Sequence, residues 1–264
     1  MKKYCIFTHL LLIVFIMSGC GEDPPRQASQ NIPKQQTAPV TAPPPQPVQA
    51  EDANDGAWPF NTEDTQEVEL ADNLTAQNYI LIFDGSGSMG ESNCAGGRRK
   101  IEVAKDAVSE WSKSIPSEAY LGLVAFHRDG WSTLPLTTGN RETFINAIDQ
   151  INSGRGTPLS QALGKAYKIF TTQGRRQLGY GEYTFVVVTD GIADNRNRLS
   201  QNVNYVLSKT PIQIHSIGFC IGKHHSLNQP GHTIYKSADN PEQLREGLKE
   251  VLAESEAFDD ASFD

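Results

Sequence analysis

Positive charge is scarce in this 264-residue chain. Only 23 Lys and Arg stand against 31 Asp and Glu, a formal charge of −8. Holding nucleic acid requires a basic face against the phosphates, so that partner class is excluded, as is attachment to an anionic lipid surface by charge alone. Long apolar runs are scarce too. The stretch Cys5 to Met17 is shorter than the roughly 20 residues that cross a bilayer. Cysteine is sparse, and Cys220, His224, His225 and His232 have the spacing of no common zinc finger. No Gly-x-Ser-x-Gly elbow occurs around Ser86 or Ser88, so pairing either with His127 as a hydrolase dyad lacks its usual frame.

The N-terminus carries an address. Lys2 and Lys3 precede the apolar run, which ends at Met17-Ser18-Gly19-Cys20. This is the pattern of a signal peptide with small residues before the cut. The cysteine after Ser-Gly resembles the lipobox of bacterial lipoproteins, with Met17 where Leu is usual. That resemblance implies cleavage before Cys20 and lipidation of its thiol and new amino group; an ordinary secretory signal is the alternative. Losing residues 1–19 removes Lys2 and Lys3 and no acid, leaving 21 basic against 31 acidic side chains, a charge of −10. Membrane attachment would then come from the lipid. Gly21 after the cysteine, rather than Asp, fits outer-membrane sorting under the lipoprotein rule. In an oxidising exported compartment Cys94 and Cys220 suggest a disulfide, with two free thiols as the alternative. Both follow predicted strand ends.

Four segments follow from patterning. Residues 1–19 read as the signal peptide, and 20–75 as the lipid-attachment cysteine with a Pro/Gln-rich linker. Residues 76–254 read as the folded domain, and 255–264 as an acidic flexible tail. The linker, with Ala42-Pro43-Pro44-Pro45-Gln46-Pro47, has no apolar periodicity to offset its ordering entropy. In polyproline form, at about 3.1 Å per residue, it reaches on the order of 100 Å. Its last part, with Trp58, Phe60, Val68 and Leu70, reads as an approach that packs on the domain.

From Asn78 strands and helices alternate. Tyr79–Phe83, Tyr120–Phe126, Tyr183–Thr189 and Ile212–Phe219 are apolar, β-branched and aromatic, as buried strands are. Ser132–Thr137 reads as an edge strand and Thr233–Tyr235 as a short sixth. Helical spacing places one helix over Lys100–Ser114 and another from near Asn140. A third opens at Thr157-Pro158, a fourth carries Leu199, Val203 and Val206, and a last is capped by Asn240-Pro241. The expected fold is α/β: a doubly wound, mostly parallel six-stranded sheet with one antiparallel edge strand and helices on both faces. Sites in such sheets lie at the carboxyl ends of strands where the order reverses. Asp84 and Asp190 both directly follow long apolar strands.

Asp84-Gly85-Ser86-Gly87-Ser88-Met89 sets a carboxylate and two hydroxyls at alternate positions of a turn that its glycines allow to bend sharply. Such hard oxygen donors suit Mg²⁺, Mn²⁺ or Ca²⁺. Taken alone the stretch is equally a Gly/Ser turn; Thr157 before Pro158 is equally a helix N-cap, and Asp190-Gly191 a turn after a strand. Met89 reads as packing. Together, Asp84-x-Ser86-x-Ser88, Gly156-Thr157-Pro158-Leu159 and Thr189-Asp190-Gly191 resemble the metal-ion-dependent adhesion site of the von Willebrand factor type A domain, over roughly residues 76–254. The resemblance implies a Rossmann-like fold and Mg²⁺, or Mn²⁺ or Ca²⁺, held by Asp84, Ser86, Ser88, Thr157 and Asp190. It also implies an open coordination position that a partner protein's Asp or Glu fills, so that the metal is the local positive charge of an acidic protein.

Arg98-Arg99-Lys100 beside the first loop reads as a solvated basic run, or else as a contact for an acidic partner. His215, inside a strand, reads as a packed or edge histidine. The tail, Phe258-Asp259-Asp260-Ala261-Ser262-Phe263-Asp264, reads as a loose end, or else as a docking peptide. The ligand loops hold no evident general base, so the expectation is a non-enzymatic, membrane-tethered, metal-dependent protein-binding module of a bacterial envelope. The alternatives are an envelope protein whose metal only stabilises the fold, and a metal-assisted hydrolase.

Overall fold

Alternation along the strands decides the architecture. In strand β1 (Gln77–Asp84) Tyr79, Leu81 and Phe83 point to one face of the sheet, and Ile80 and Ile82 to the other. Seven of its eight residues are buried, as expected for a strand covered on both faces. The computed structural model describes residues 57–60, 68–223, 225 and 227–256, within the unit Ala50–Asp264. The signal segment, Cys20, the proline-rich part of the linker and the tail residues 257–264 lie outside the described residues. No helix among the described residues is long and apolar enough to cross a membrane.

The other strands are β2 (Tyr120–His127), β3 (Gly130–Thr137), β4 (Glu182–Thr189), β5 (Gln213–Phe219) and β6 (Ile234–Ala238). They form one six-stranded sheet in the order β3-β2-β1-β4-β5-β6. Every neighbouring pair is parallel except β2 with β3, a hairpin at the edge. The expected mixed sheet with one antiparallel edge strand is therefore what forms. β3 begins two residues before the expected Ser132 and β6 runs three beyond Tyr235. Both are edge strands with half-exposed, alternating patterns, and this weakens their apolar signature.

Helices α1 (Lys100–Ser114), α2 (Arg141–Asp149) and α5 (Pro241–Glu256) cover one face, joining Trp111, Phe144, Ile148, Leu244 and Leu248 to the β1 residues Tyr79, Leu81 and Phe83. Helices α3 (Leu159–Arg176) and α4 (Arg196–Lys209) cover the other, with Leu163, Phe170, Leu199 and Val203 against Ile80, Ile82, Phe185 and Val187. Asn140 and Asn240 precede α2 and α5, and the Asn240 side chain caps α5 by accepting the Gln243 N–H at 3.0 Å. Trp58 packs on the second face: its indole N–H donates to Thr171 Oγ1 at 3.3 Å, and its ring meets Tyr183 edge-on at 4.8 Å. This packing lies ahead of residue 76.

Because β1 leads outward to β2 and β3, while β4 leads the opposite way to β5 and β6, the chain reverses direction between β1 and β4. That junction is the switch point of a doubly wound sheet. The register pairs Phe83 with Val188, so the following residues, Asp84 and Thr189-Asp190, emerge side by side at the carboxyl edge.

Candidate metal centre

Three loops meet above the β1–β4 junction, and backbone hydrogen bonds stitch them together. Gly85 N–H donates to Phe126 O at 2.8 Å, while Gly85 O accepts the Gly154 N–H at 2.9 Å. A Cβ on Gly85 would lie 2.7 Å from both Phe126 O and His127 Cβ, so only glycine lets the first loop lie this close to β2. Gly87 N–H donates to Arg155 O at 3.0 Å, tying the first loop to the segment that carries Thr157. Asp194 then ties the second loop to the third. Its Oδ1 accepts the Thr157 N–H at 2.9 Å, and its own N–H donates to Thr157 O at 3.1 Å.

The side chains converge within this frame. Asp84 is fully buried; its Oδ1 accepts the Ser86 N–H at 2.7 Å and its Oδ2 accepts the Thr189 hydroxyl at 2.5 Å. The Ser86 and Ser88 hydroxyls lie 3.0 Å apart, and Ser88 donates to Asp190 Oδ1 at 2.8 Å. A Cβ added to Gly191 would sit 2.9 Å from Thr157 Oγ1 and 3.5 Å from Asp84 Oδ2. Gly191 thus leaves open a space faced by a hydroxyl from the second loop and a carboxylate from the first. All five residues named by the motif reading come together here.

Two carboxylates and three hydroxyls from Ser86, Ser88 and Thr157 form a hard-oxygen donor set that fits Mg²⁺ or Mn²⁺, and Ca²⁺ less tightly constrained. Burial pushes the Asp84 carboxyl up to about 6, against the opposing pull of hydrogen bonds from Thr189 and Ser86, with the nearby Asp190 charge adding to the rise. A carboxylate held this dry binds a cation more strongly than one in water.

One alternative falls away and one expectation needs correction. Thr157 is not the cap of α3, because the helix begins at Leu159 with Pro158 at the capping position. Its hydroxyl faces the Gly191 space instead of the helix N-terminus. Arg98-Arg99-Lys100 is not uniformly solvated. Arg98 and Arg99 pair with Asp106 and Glu102 at the surface, but Lys100 is 3% exposed, with its Nζ 2.8 Å from Asp190 Oδ2. Lys100 opens α1, and the turn of the helix aims it inward.

The remaining candidates have other duties. Met89 is fully buried in the core. His127 faces Ser132, with Nε2 2.9 Å from its hydroxyl, and Nδ1 accepts the Asp129 N–H at 3.3 Å, so it forms no dyad with Ser86 or Ser88. His225 Nε2 meets Gly191 O at 2.6 Å and steadies the third loop. Cys94 and Cys220 form a disulfide, with Cα atoms 6.2 Å apart. Among the described residues no group of three or more His, Cys, Asp and Glu side chains is placed to hold a metal, and His224 lies outside them. Asp194 escapes the motif reading, Thr189 stands in the motif without a role of its own, and Lys100 reads only as part of a basic run. An acid four residues beyond Asp190, just ahead of a helix, was a faint signal for Asp194.

Residues 79–192 match the family model of the von Willebrand factor type A domain. The protein YwmD of Bacillus subtilis (strain 168) is 28% identical over 131 residues, which are 43% of this chain and 54% of that protein, so the match spans about half its length. Among solved structures, the von Willebrand factor type A structure from Catenulispora acidiphila has a TM-score of 0.55 at 18% identity, covering 69% of this chain and 43% of that one. The pilus adhesin SpaC from Lactobacillus rhamnosus GG has a TM-score of 0.56 at 13% identity, covering 70% of this chain and 31% of that one. The manganese-loaded TRAP protein of Plasmodium vivax has a TM-score of 0.50 at 18% identity, covering 67% of this chain and 74% of that one.

Proposed function

We propose that the von Willebrand factor type A domain of this chain is a divalent-metal-dependent protein-binding module, tethered to a bacterial envelope membrane through lipidated Cys20. The observation that carries the reading is the convergence of Asp84, Ser86, Ser88, Thr157 and Asp190 on the β1–β4 switch point, around the space that Gly191 leaves open. Asp84, Ser86 and Ser88 would hold Mg²⁺ from the first loop, Thr157 from the second and Asp190 from the third, directly or through water. When bound, the ion supplies a Lewis-acidic position that accepts an Asp or Glu carboxylate of the partner protein. The chain's own residues provide the rest. Thr189 and the Ser86 N–H fix the Asp84 carboxylate, Ser88 orients Asp190, and Asp194 locks Thr157 in place.

Binding rather than turnover is favoured by the absence of a free general base near the donors among the described residues: His127 and His225 are both committed elsewhere. The fold shared with a pilus adhesin supports adhesion or assembly at the envelope, and the lipobox-like segment supports an outer-membrane anchor. The full chain, immobilised and incubated with envelope extract under crosslinking, tests this. Partner capture is expected in Mg²⁺ and lost both in EDTA and in Asp84→Ala. Capture that persists unchanged in EDTA overturns the proposal.

A further inference from the structure

Among the described residues Lys100 is the one cation inside the site, and nothing about its helix calls for it. It occupies the first position of α1, where the helix dipole disfavours positive charge. Its side chain is 4% exposed, although lysine is rarely buried without a strong partner. Glu91, 3.3 Å away, is 64% exposed and too solvated to account for that burial. The partner that does is Asp190, whose side chain is fully buried and whose Oδ2 lies 2.8 Å from Nζ. The other oxygen of Asp190 receives the Ser88 hydroxyl. The loop leading to α1 aims the lysine: Lys100 N–H closes it on Glu91 O at 2.8 Å, and the disulfide anchors it to the end of β5.

We infer that Lys100 is a resident counter-cation that holds the site assembled before metal arrives and sets its metal affinity low enough for exchange. The inference rests on the metal-site reading above. Two adjacent buried carboxylates repel one another, and the ammonium cancels one of those charges. An incoming Mg²⁺ must share Asp190 with that ammonium and meets its repulsion across a poorly screened interior. A lysine serving only to tie α1 to the third loop would leave the metal affinity unmoved.

The test is calorimetric titration of the EDTA-stripped full chain with MgCl₂ and MnCl₂ at pH 8, for wild type, Lys100→Met and Lys100→Gln, together with melting of each metal-free protein. Both variants are expected to bind metal at least about tenfold more tightly, to melt lower without metal, and to gain more from metal than wild type does. If both bind equally or more weakly while melting lower, Lys100 is only a structural tie and the inference fails. If neither variant folds without metal, Mg²⁺ should restore a cooperative transition, and failure to restore it counts against the inference. A wild-type protein that binds neither ion brings down the metal-site reading itself, a result distinct from any ratio between wild type and variants.

Discussion

Replacing Asp84 by Asn should stabilise the metal-free protein at pH 8 while destroying its metal site. The carboxyl is fully buried and its titration is pushed from an ordinary 3.8 up to about 6, chiefly by burial. Below 3.8 it is protonated in folded and unfolded chains alike and costs nothing. Between 3.8 and about 6 the folded chain keeps a proton that the unfolded chain has lost, so stability falls as pH rises through this window. Above about 6 the full cost applies, about 3 kcal/mol. Asparagine never ionises, so it escapes that cost. It also disturbs the bonds from the Ser86 N–H and the Thr189 hydroxyl, a loss of about 1 kcal/mol. The net gain at pH 8 is about 2 kcal/mol, or roughly 4–8 °C in melting midpoint for a domain of this size.

The assay is thermal melting of wild type and Asp84→Asn in EDTA from pH 4 to pH 8, read as the difference between them. The difference isolates Asp84, because buried His215, pushed down to about 4, titrates in both proteins and costs both stability as pH falls. The variant should melt higher at pH 8, and its advantage should vanish as pH approaches 4. In excess Mg²⁺ the order at pH 8 should reverse, since only wild type gains by mass action. A difference constant across pH, or one that grows toward acid, refutes the reasoning.

Gly191→Ala places a Cβ 2.9 Å from Thr157 Oγ1, which must give way. We expect a Mg²⁺ affinity loss of tenfold or more (about 1.4 kcal/mol), read by calorimetry, with the metal-free melting point nearly unchanged. Cys220→Ser opens a covalent link between residues 126 apart, and should cost about 2–4 kcal/mol in denaturant unfolding, with a matching effect when wild type is reduced.

Much of the site was legible because its signals are local. Apolar runs ending in Asp84 and Asp190 show where two strands stop, and alternating helices make the sheet parallel, so two carboxylates at one edge follow from pattern alone. That β1 and β4 are neighbours does not follow from pattern; only the strand order of the folded sheet brings the two acids side by side. What stayed hidden depends on how loops meet. Thr157 on its local string Thr-Pro reads equally as a cap, yet α3 starts only at Leu159 and the hydroxyl faces the space beside Gly191. Lys100 looked solvated because it ends a basic run, yet helix geometry turns it toward an acid 90 positions away. Thr189 looked like part of a β-branched strand, and its hydroxyl proves to be a partner of Asp84. Trp58 is expected to pack on the domain, but without periodicity the sequence does not say where; its ring lies on α3 and β4.

The central claim is that five residues from three loops hold one divalent cation, and calorimetric titration of the EDTA-stripped full chain with MgCl₂ at pH 8 tests it most directly. The account predicts a saturable isotherm with one ion per chain, lost in Asp84→Ala and in Asp190→Ala. Equal binding in wild type and both variants, or no binding in wild type, would contradict it.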